Sequence, residues 1–346
     1  MSKTIAAILV ETGRALELAE LDIPALKPGQ VLVEVAFSGV CHTQLLEARG
    51  LRGPDAFLPH GLGHEGSGRV LETGPGVNKV RAGDPVLLSW MKASGADVPG
   101  TVYQWGGRKV NSGAIITFAR AVVVSENRLT ILPAAFPLRE AALFGCAVPT
   151  GFGMIFNALR AQPGQSLAVF GVGGVGLSAV AAARLAGCAP IVAVDSRDER
   201  LEAARRLGAT HVFSAGEKIL ESLRVLIPGG FDAAIEASGR PEAMRQALSC
   251  VRARGGSAVV AGNARHGETL NIDPRELNQG KRLLGTWGGD NEPDRDFPRW
   301  FSFLSSGRLD LSPLLSDPYP LTRVNEALND LESGRCVRPL LDLSLR

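Results

Sequence analysis

The chain reads as an α/β protein of two domains, one β-rich and partly barrel-like, the other a doubly wound parallel sheet. Three observations predict this. Its 346 residues exceed the roughly 250 to 300 at which a single hydrophobic core stops growing. Up to Ser125, short β-rich runs alternate with Gly and Pro punctuation and few helical patterns intervene, as in an antiparallel, partly closed domain. From Leu138 onward, short apolar runs alternate with amphipathic stretches, the sequence form of parallel strands joined by crossover helices.

In chain order, "AAILVE" (6–11), "VLVEVAF" (31–37), "RVLETG" (69–74) and "AIITFARAVVVS" (114–125) predict the strands of the first domain. "LREAALF" (138–144) begins the change of texture. "SLAVF" (166–170), "PIVAVD" (190–195), "HVFSA" (211–215), "FDAAIEASG" (231–239) and "GSAVVAG" (256–262) are buried-strand patterns, and "RDERLEAARRLGA" (197–209) is an amphipathic helix between two of them. "KRLLGTWGGD" (281–290) looks like the last strand of this sheet. Two helix patterns follow, "DFPRWFSFLSSG" (296–307) and "TRVNEALNDLESG" (322–334), and the closing strand "VRPLLDLS" (337–344) is free to return to the first domain. No internal repeat or low-complexity tract interrupts the order.

Hydrophobic content of 45%, charged content of 21% and a net charge of +2 make no electrostatic case for nucleic acid or an anionic membrane surface. The only apolar run near the start, Ile5 to Val10, is too short to span a bilayer and lacks a cleavage-site pattern. The five cysteines (41, 146, 188, 250 and 336) are odd in number and never spaced CxxC. That usage fits reduced thiols and predicts a cytoplasmic protein, in which any working cysteine is a metal ligand or nucleophile.

Gly171, Gly173 and Gly176 stand in GxGxxG spacing, directly after an apolar strand and at the start of an Ala-rich helix. Such glycines, with Gly174 and Val175 between them, allow a tight turn and aim the unpaired N–H groups of a helix N-terminus at a pyrophosphate. Asp195 ends the next strand, nineteen residues after Gly176 (195 − 176). A carboxylate there accepts from a ribose 2′-OH and repels a 2′-phosphate, so NAD is favoured over NADP. Arg197 beside it is the counter-signal.

Elsewhere, "GLGHEGSG" places His64 and Glu65 among glycines, and "LFGCAVPTG" places Cys146 shortly before the second domain. With Cys41 of "GVCHTQLL", these residues supply two thiolates and an imidazole. That is a three-ligand catalytic zinc set with a fourth position left for water or substrate.

At this point the chain resembles the zinc-containing alcohol dehydrogenases of the medium-chain dehydrogenase/reductase superfamily. The family pattern GHE, two residues, Gly, five residues, Gly, two residues, aliphatic is met by Gly63, His64, Glu65, Gly68, Gly74 and Val77. "GVCHT", "AGDPV", "GCAVPTG" and "GVGGVG" fall in the family's order over nearly the whole chain. The resemblance implies a GroES-like catalytic domain of residues 1–148 and 288–346 and a Rossmann NAD-binding domain of residues 149–287. It implies interconversion of an alcohol with an aldehyde or ketone, with Cys41, His64 and Cys146 on zinc and Glu65 close enough to exchange with the zinc-bound water. Thr43 matches the hydroxyl that begins proton removal, with a helix cap as its plainer role. His42 and Arg338 match pyrophosphate contacts, Arg200 a residue near the adenosine ribose, Thr150 one behind the nicotinamide, and Trp90 and Trp287 pocket walls.

Three departures from the family pattern follow from the residues present. The lobe 89–113 contains no cysteine, which predicts one catalytic zinc and no structural zinc. Gln44 stands where an aspartate commonly orients the histidine ligand; its carbonyl is expected to accept the imidazole N–H without charge, leaving the ligand less basic and the zinc more electrophilic. Leu46 stands where a histidine commonly passes the proton onward. Retained ligands disfavour a zinc-free enone or quinone reductase, and Thr43 disfavours a non-catalytic NAD(H) sensor. The edge expected at "KRLLGTWGGD" is a liability unless paired, and the resemblance implies that it pairs across a two-fold axis in a homodimer or homotetramer.

Overall fold

The computed structural model describes residues 2–345. The chain divides into two compact units. One runs from the N-terminus to Cys146, takes up Glu292–Ser305 and ends with the segment from Leu315; the other comprises Ala147–Asn291 and Ser306–Leu314. The short segment 306–314, which the sequence reading assigns to the catalytic domain, therefore packs with the parallel sheet.

The first unit contains a closed barrel of five strands, Lys3–Leu9, Glu17–Asp22, Val102–Trp105, Arg108–Asn111 and His60–Gly61. Beside it lies a seven-stranded sheet centred on Gln30–Gly39, which pairs antiparallel with Glu65–Thr73, with Ala121–Ser125 and with the last strand, Leu340–Asp342. The C-terminal strand thus returns to the first domain, as the sequence permitted. Only the second half of "AIITFARAVVVS" is a strand; residues 114–120 cross between the two sheets, where Phe118 and Thr117 both donate to the Leu62 carbonyl. Apolar alternation fills the core with Ile8, Leu21, Val33, Val35, Tyr103 and Phe118, all nearly inaccessible.

The second unit is a six-stranded, all-parallel sheet in the order His211–Ser214, Ile191–Asp195, Leu167–Phe170, Ala233–Glu236, Ser257–Val260, Arg282–Gly285. Its inner strands are buried on both faces, which is why they appear in the sequence as unbroken apolar runs. The chain winds outward in both directions from Leu167–Phe170, so the switch point falls between the C-terminal ends of that strand and Ala233–Glu236. Arg282–Gly285 is an edge strand with Leu284 exposed. Among the described residues no single helix is long and apolar enough to cross a membrane.

Candidate metal centre and dinucleotide loop

Cys41 terminates the run that follows the central strand Gln30–Gly39 and is the N-cap of the helix His42–Ala48. Thr43 is therefore inside the first turn and is not the cap. His64 immediately precedes Glu65–Thr73, which pairs with the same central strand through Ser38 and Gly66. These two ligands are neighbours because the two strands are. Cys146 arrives from a 3₁₀ turn, Ala142–Gly145, held in place by the Phe136, Phe144 and Phe301 rings at centroid separations of 5.0–5.8 Å. Gly145 must be glycine for this approach: a Cβ would lie 2.5 Å from the Leu88 carbonyl and 2.6 Å from Glu65 Cβ. Ser89 Oγ donates to the Gly145 carbonyl at 2.7 Å and locks the turn.

One ligand atom each from Cys41, His64 and Cys146 lies within 4.8 Å of the other two, the one such group of metal-binding side chains among the described residues. Both thiols are buried. His64 Nδ1 is 2.5 Å from Gln44 Nε2, whereas Nε2 is buried without a hydrogen-bond partner. An orphaned imidazole nitrogen beside two sulfurs is what a soft, tetrahedral cation requires, so the residues fit zinc. Cys41 is held well below the usual thiol range by its hydrogen bond to Cys146, against the effect of burial and with help from Arg338 and His64. Cys146 is pushed correspondingly up by the same bond and by burial. Burial pulls His64 down, but the Cys41 thiolate outweighs it and leaves the imidazole more basic than usual.

Around this group, Glu65 is fully buried and its Oε1 is paired with Arg338 Nη2. The arginine that the resemblance assigns to a pyrophosphate is 3% exposed and serves as the counter-ion of Glu65. Thr43 Oγ1 is 3.8 Å from Cys41 Sγ. His42 is exposed at the helix start, and Leu46 is buried. Trp90 is half-buried; its backbone N–H donates to the His64 carbonyl at 3.1 Å and its backbone carbonyl accepts from Arg128 Nη1. Trp287, by contrast, is 71% exposed just beyond the edge strand.

In the second unit, Gly171 leaves Leu167–Phe170 with φ +80°, and a Cβ there would meet Ser238 N at 2.6 Å. The helix Gly174–Leu185 then starts with Gly173 as N-cap. Asp195 Oδ2 accepts the Val172 N–H at 2.9 Å, so the strand-end acid grips the glycine loop itself. Its Oδ1 accepts from Arg197 N at 3.2 Å, and Arg200 Nη1 lies 3.7 Å from Oδ2. Thr150 is buried in the helix Ala147–Gly153. Sequence reasoning passed over Glu236, which ends Ala233–Glu236. Its Oε1 accepts from Ser238 N and Oγ, both at 2.6 Å, and from Gly239 N at 2.8 Å, building the turn that packs on Gly171. The available signal was an acid closing an otherwise apolar strand.

A parallel dinucleotide-type sheet and a barrel-bearing unit with a cysteine–histidine–cysteine group define a metal-dependent dehydrogenase. The family model described as zinc-binding dehydrogenase matches residues 174–306, and that described as alcohol dehydrogenase GroES-like domain matches residues 27–134. An S-(hydroxymethyl)glutathione dehydrogenase of Synechocystis sp. is 30% identical, over 98% of this chain and 99% of the relative. A putative alcohol dehydrogenase D of Mycobacterium tuberculosis is 32% identical over the same shares. The crystal structure of benzyl alcohol dehydrogenase from Acinetobacter calcoaceticus superposes with a TM-score of 0.90 at 29% identity, covering 99% of this chain and all of the other. The chain belongs to the zinc-containing alcohol dehydrogenase family. It is a zinc-dependent oxidoreductase that uses a nicotinamide cofactor and acts on small-molecule alcohols or carbonyls.

Proposed function

We propose that the enzyme interconverts a primary, secondary or polyol-like alcohol with its aldehyde or ketone using NAD, with one catalytic zinc held by Cys41, His64 and Cys146. The observation that carries this is the buried group of three ligand atoms within 4.8 Å, one of them an orphaned imidazole nitrogen. Zinc bound there supplies Lewis acidity that eases deprotonation of an alcohol oxygen. Thr43 Oγ1, beside Cys41, would accept a hydrogen bond from that alcohol and pass on its own hydroxyl proton as it receives the alcohol's, a relay and not a base. Leu46 offers no atom to carry it further, so the proton leaves Thr43 by a route that does not use this position. Glu65, already committed to Arg338, is the reserve oxygen ligand next to the two thiols.

Further features support the finer assignments. Gly171, Gly173, Gly174, Val175 and Gly176 offer a pyrophosphate cradle, with His42, Arg200 and Thr150 as additional dinucleotide contacts and Arg338 as one that must share its charge with Glu65. The Asp195 carboxylate favours NAD over NADP. The lobe 89–113 has no cysteine and so no ligand set for a second zinc. Trp90, whose backbone is tied to His64, and the exposed Trp287 are the aromatic residues this reading assigns to the substrate pocket. Relatives named for S-(hydroxymethyl)glutathione and for benzyl alcohol support a substrate that carries a hydroxyl group. The exposed edge Arg282–Gly285 suits a second copy across a two-fold axis.

The test is a panel of primary, secondary, polyol and aromatic alcohols run with NAD and NADP, alongside elemental analysis and gel filtration. One zinc per chain, turnover preferring NAD and a dimer or tetramer are expected. Active protein without zinc, or protein that binds NADH and oxidises nothing, overturns the reading; a monomer overturns the assembly.

A further inference from the structure

Gln44 is 2% exposed and holds two metal ligands with opposite ends of one carboxamide. Oε1 accepts the backbone N–H of Cys41 at 3.2 Å, as the third residue of a helix does in a capping box. Nε2 faces His64 Nδ1 at 2.5 Å. The amide nitrogen is only a donor, so Nδ1 must accept, and the ring proton then sits on Nε2. A metal at Nε2 requires the opposite tautomer: Nε2 offers its lone pair, the proton moves to Nδ1, and Nδ1 becomes a donor needing an acceptor. Turning the carboxamide over would supply Oε1 to Nδ1–H but would set Nε2 against the Cys41 N–H, donor against donor in a buried place. A single acceptor cannot serve both ends at once in either orientation.

We propose that Gln44 is a positioning residue that keeps zinc affinity at this centre low and zinc exchangeable, because its donor–acceptor polarity matches the imidazole tautomer that cannot ligate. This rests on the zinc reading above, and deepens it. A carboxylate of the same length removes the conflict, since one oxygen accepts from Cys41 N and the other from Nδ1–H. The role is specific to polarity: size, burial and helix capping are the same for Gln and Glu.

The test is Gln44→Glu, with zinc affinity measured by competition against a chromophoric chelator on zinc-depleted, folded protein. Outer-shell partners of metal-binding histidines typically change affinity by about 10- to 100-fold, and the variant is expected to bind zinc tighter by about that factor. Unchanged or weaker binding overturns the proposal. Wild type that binds no zinc, or whose binding survives Cys146→Ala, overturns the zinc reading instead. A second measurement does not depend on the variant folding: long-range ¹⁵N NMR of the five histidines, with His64→Gln for assignment. At a pH where the ring is neutral, zinc-depleted wild type is expected to show His64 protonated on Nε2, and zinc-loaded protein on Nδ1. An Nδ1–H tautomer before zinc is added would mean that the carbonyl already faces the ring, and the proposal falls.

Discussion

The lobe without cysteines makes the most exposed claim about stability, and Glu126 is where to test it. Its Oε1 accepts the backbone N–H groups of Asn78 at 2.7 Å and Lys79 at 2.6 Å, and its Oε2 accepts that of Ala96 at 2.8 Å. Ser125 adds two more ties, donating to the Ala96 carbonyl at 2.6 Å and accepting from Val98 N at 3.0 Å. One buried carboxylate thus joins the turn at Asn78 to a lobe that has no regular structure between Trp90 and Gly100. Glu126→Ala leaves three backbone donors without their acceptor; at about 1–3 kcal/mol for each unmet donor, reduced where water reaches it, the loss is about 3–5 kcal/mol. Glu126→Gln keeps the oxygen that serves Asn78 and Lys79 but turns an N–H₂ toward Ala96, so about 1–3 kcal/mol is expected.

The acid dependence distinguishes this account from a generic packing loss. Burial works to raise the Glu126 pKa, but the three N–H groups, with Lys79 nearby, outweigh it and hold it below the ordinary carboxylate value. A carboxylate with a depressed folded pKa contributes stability that is present above the unfolded value, about 4.3, and is lost as pH falls through the folded one. Urea unfolding of wild type and Glu126→Gln across pH should therefore show a constant gap at neutral pH that closes below about pH 4. Limited proteolysis between residues 90 and 100 should be faster in the variant. A gap that is absent at pH 7, or independent of pH down to about 3, would refute the anchoring role.

Two other outcomes follow from the centre and the loop. Cys146→Ala should lose most zinc and activity, whereas Cys188→Ala, whose sulfur touches only the Gln162 carbonyl at 4.0 Å among its hydrogen-bond partners, should lose neither; equal zinc loss in both by elemental analysis would sink the ligand assignment. Gly171→Ala forces an L side chain to φ +80° and against Ser238; at about 1–3 kcal/mol of backbone strain, NADH binding followed by fluorescence should weaken roughly tenfold or more with zinc content intact.

What could be read in the sequence was what local composition encodes. The inner parallel strands are doubly buried, so "SLAVF" and "PIVAVD" announce themselves; the three ligands stand out because His and Cys are scarce here and flanked by glycine. The barrel was legible only as a tendency, because its closure depends on His60–Gly61 meeting both Lys3–Leu9 and Arg108–Asn111, contacts set by packing of distant segments. "AIITFARAVVVS" shows the limit from the other side: uniform β propensity over twelve residues, but ladder partners in the central sheet only for the last five. Gln44 was legible as a residue and illegible as a direction. Its carbonyl was expected on the imidazole, and the structure turns that oxygen to Cys41 N because the helix cap claims it.

Arg338 shows how much of the centre's chemistry lies outside the ligand set. Cys41, Cys146 and Glu65 are three acids in one buried cluster, with a single guanidinium beside them from a residue 273 positions away from Glu65. Were all three ionised with no cation added, the cluster would carry −3 + 1 = −2 out of water, a cost that buried charge does not sustain unpaired. The hydrogen bond between the two thiols holds Cys41 well below the usual thiol range and pushes Cys146 above it, and Arg338 and His64 also favour the thiolate of Cys41. With His64 neutral, Cys41, His64 and Cys146 would hold a divalent ion whose two charges balance that excess. Arg338 therefore sets the charge that the site can accept, and a dication is the ion that balances it. Replacing Arg338 with a neutral residue would strand Glu65 and shift that balance by one unit, so any duty Arg338 has toward a pyrophosphate is performed by a side chain whose first commitment is to the metal centre.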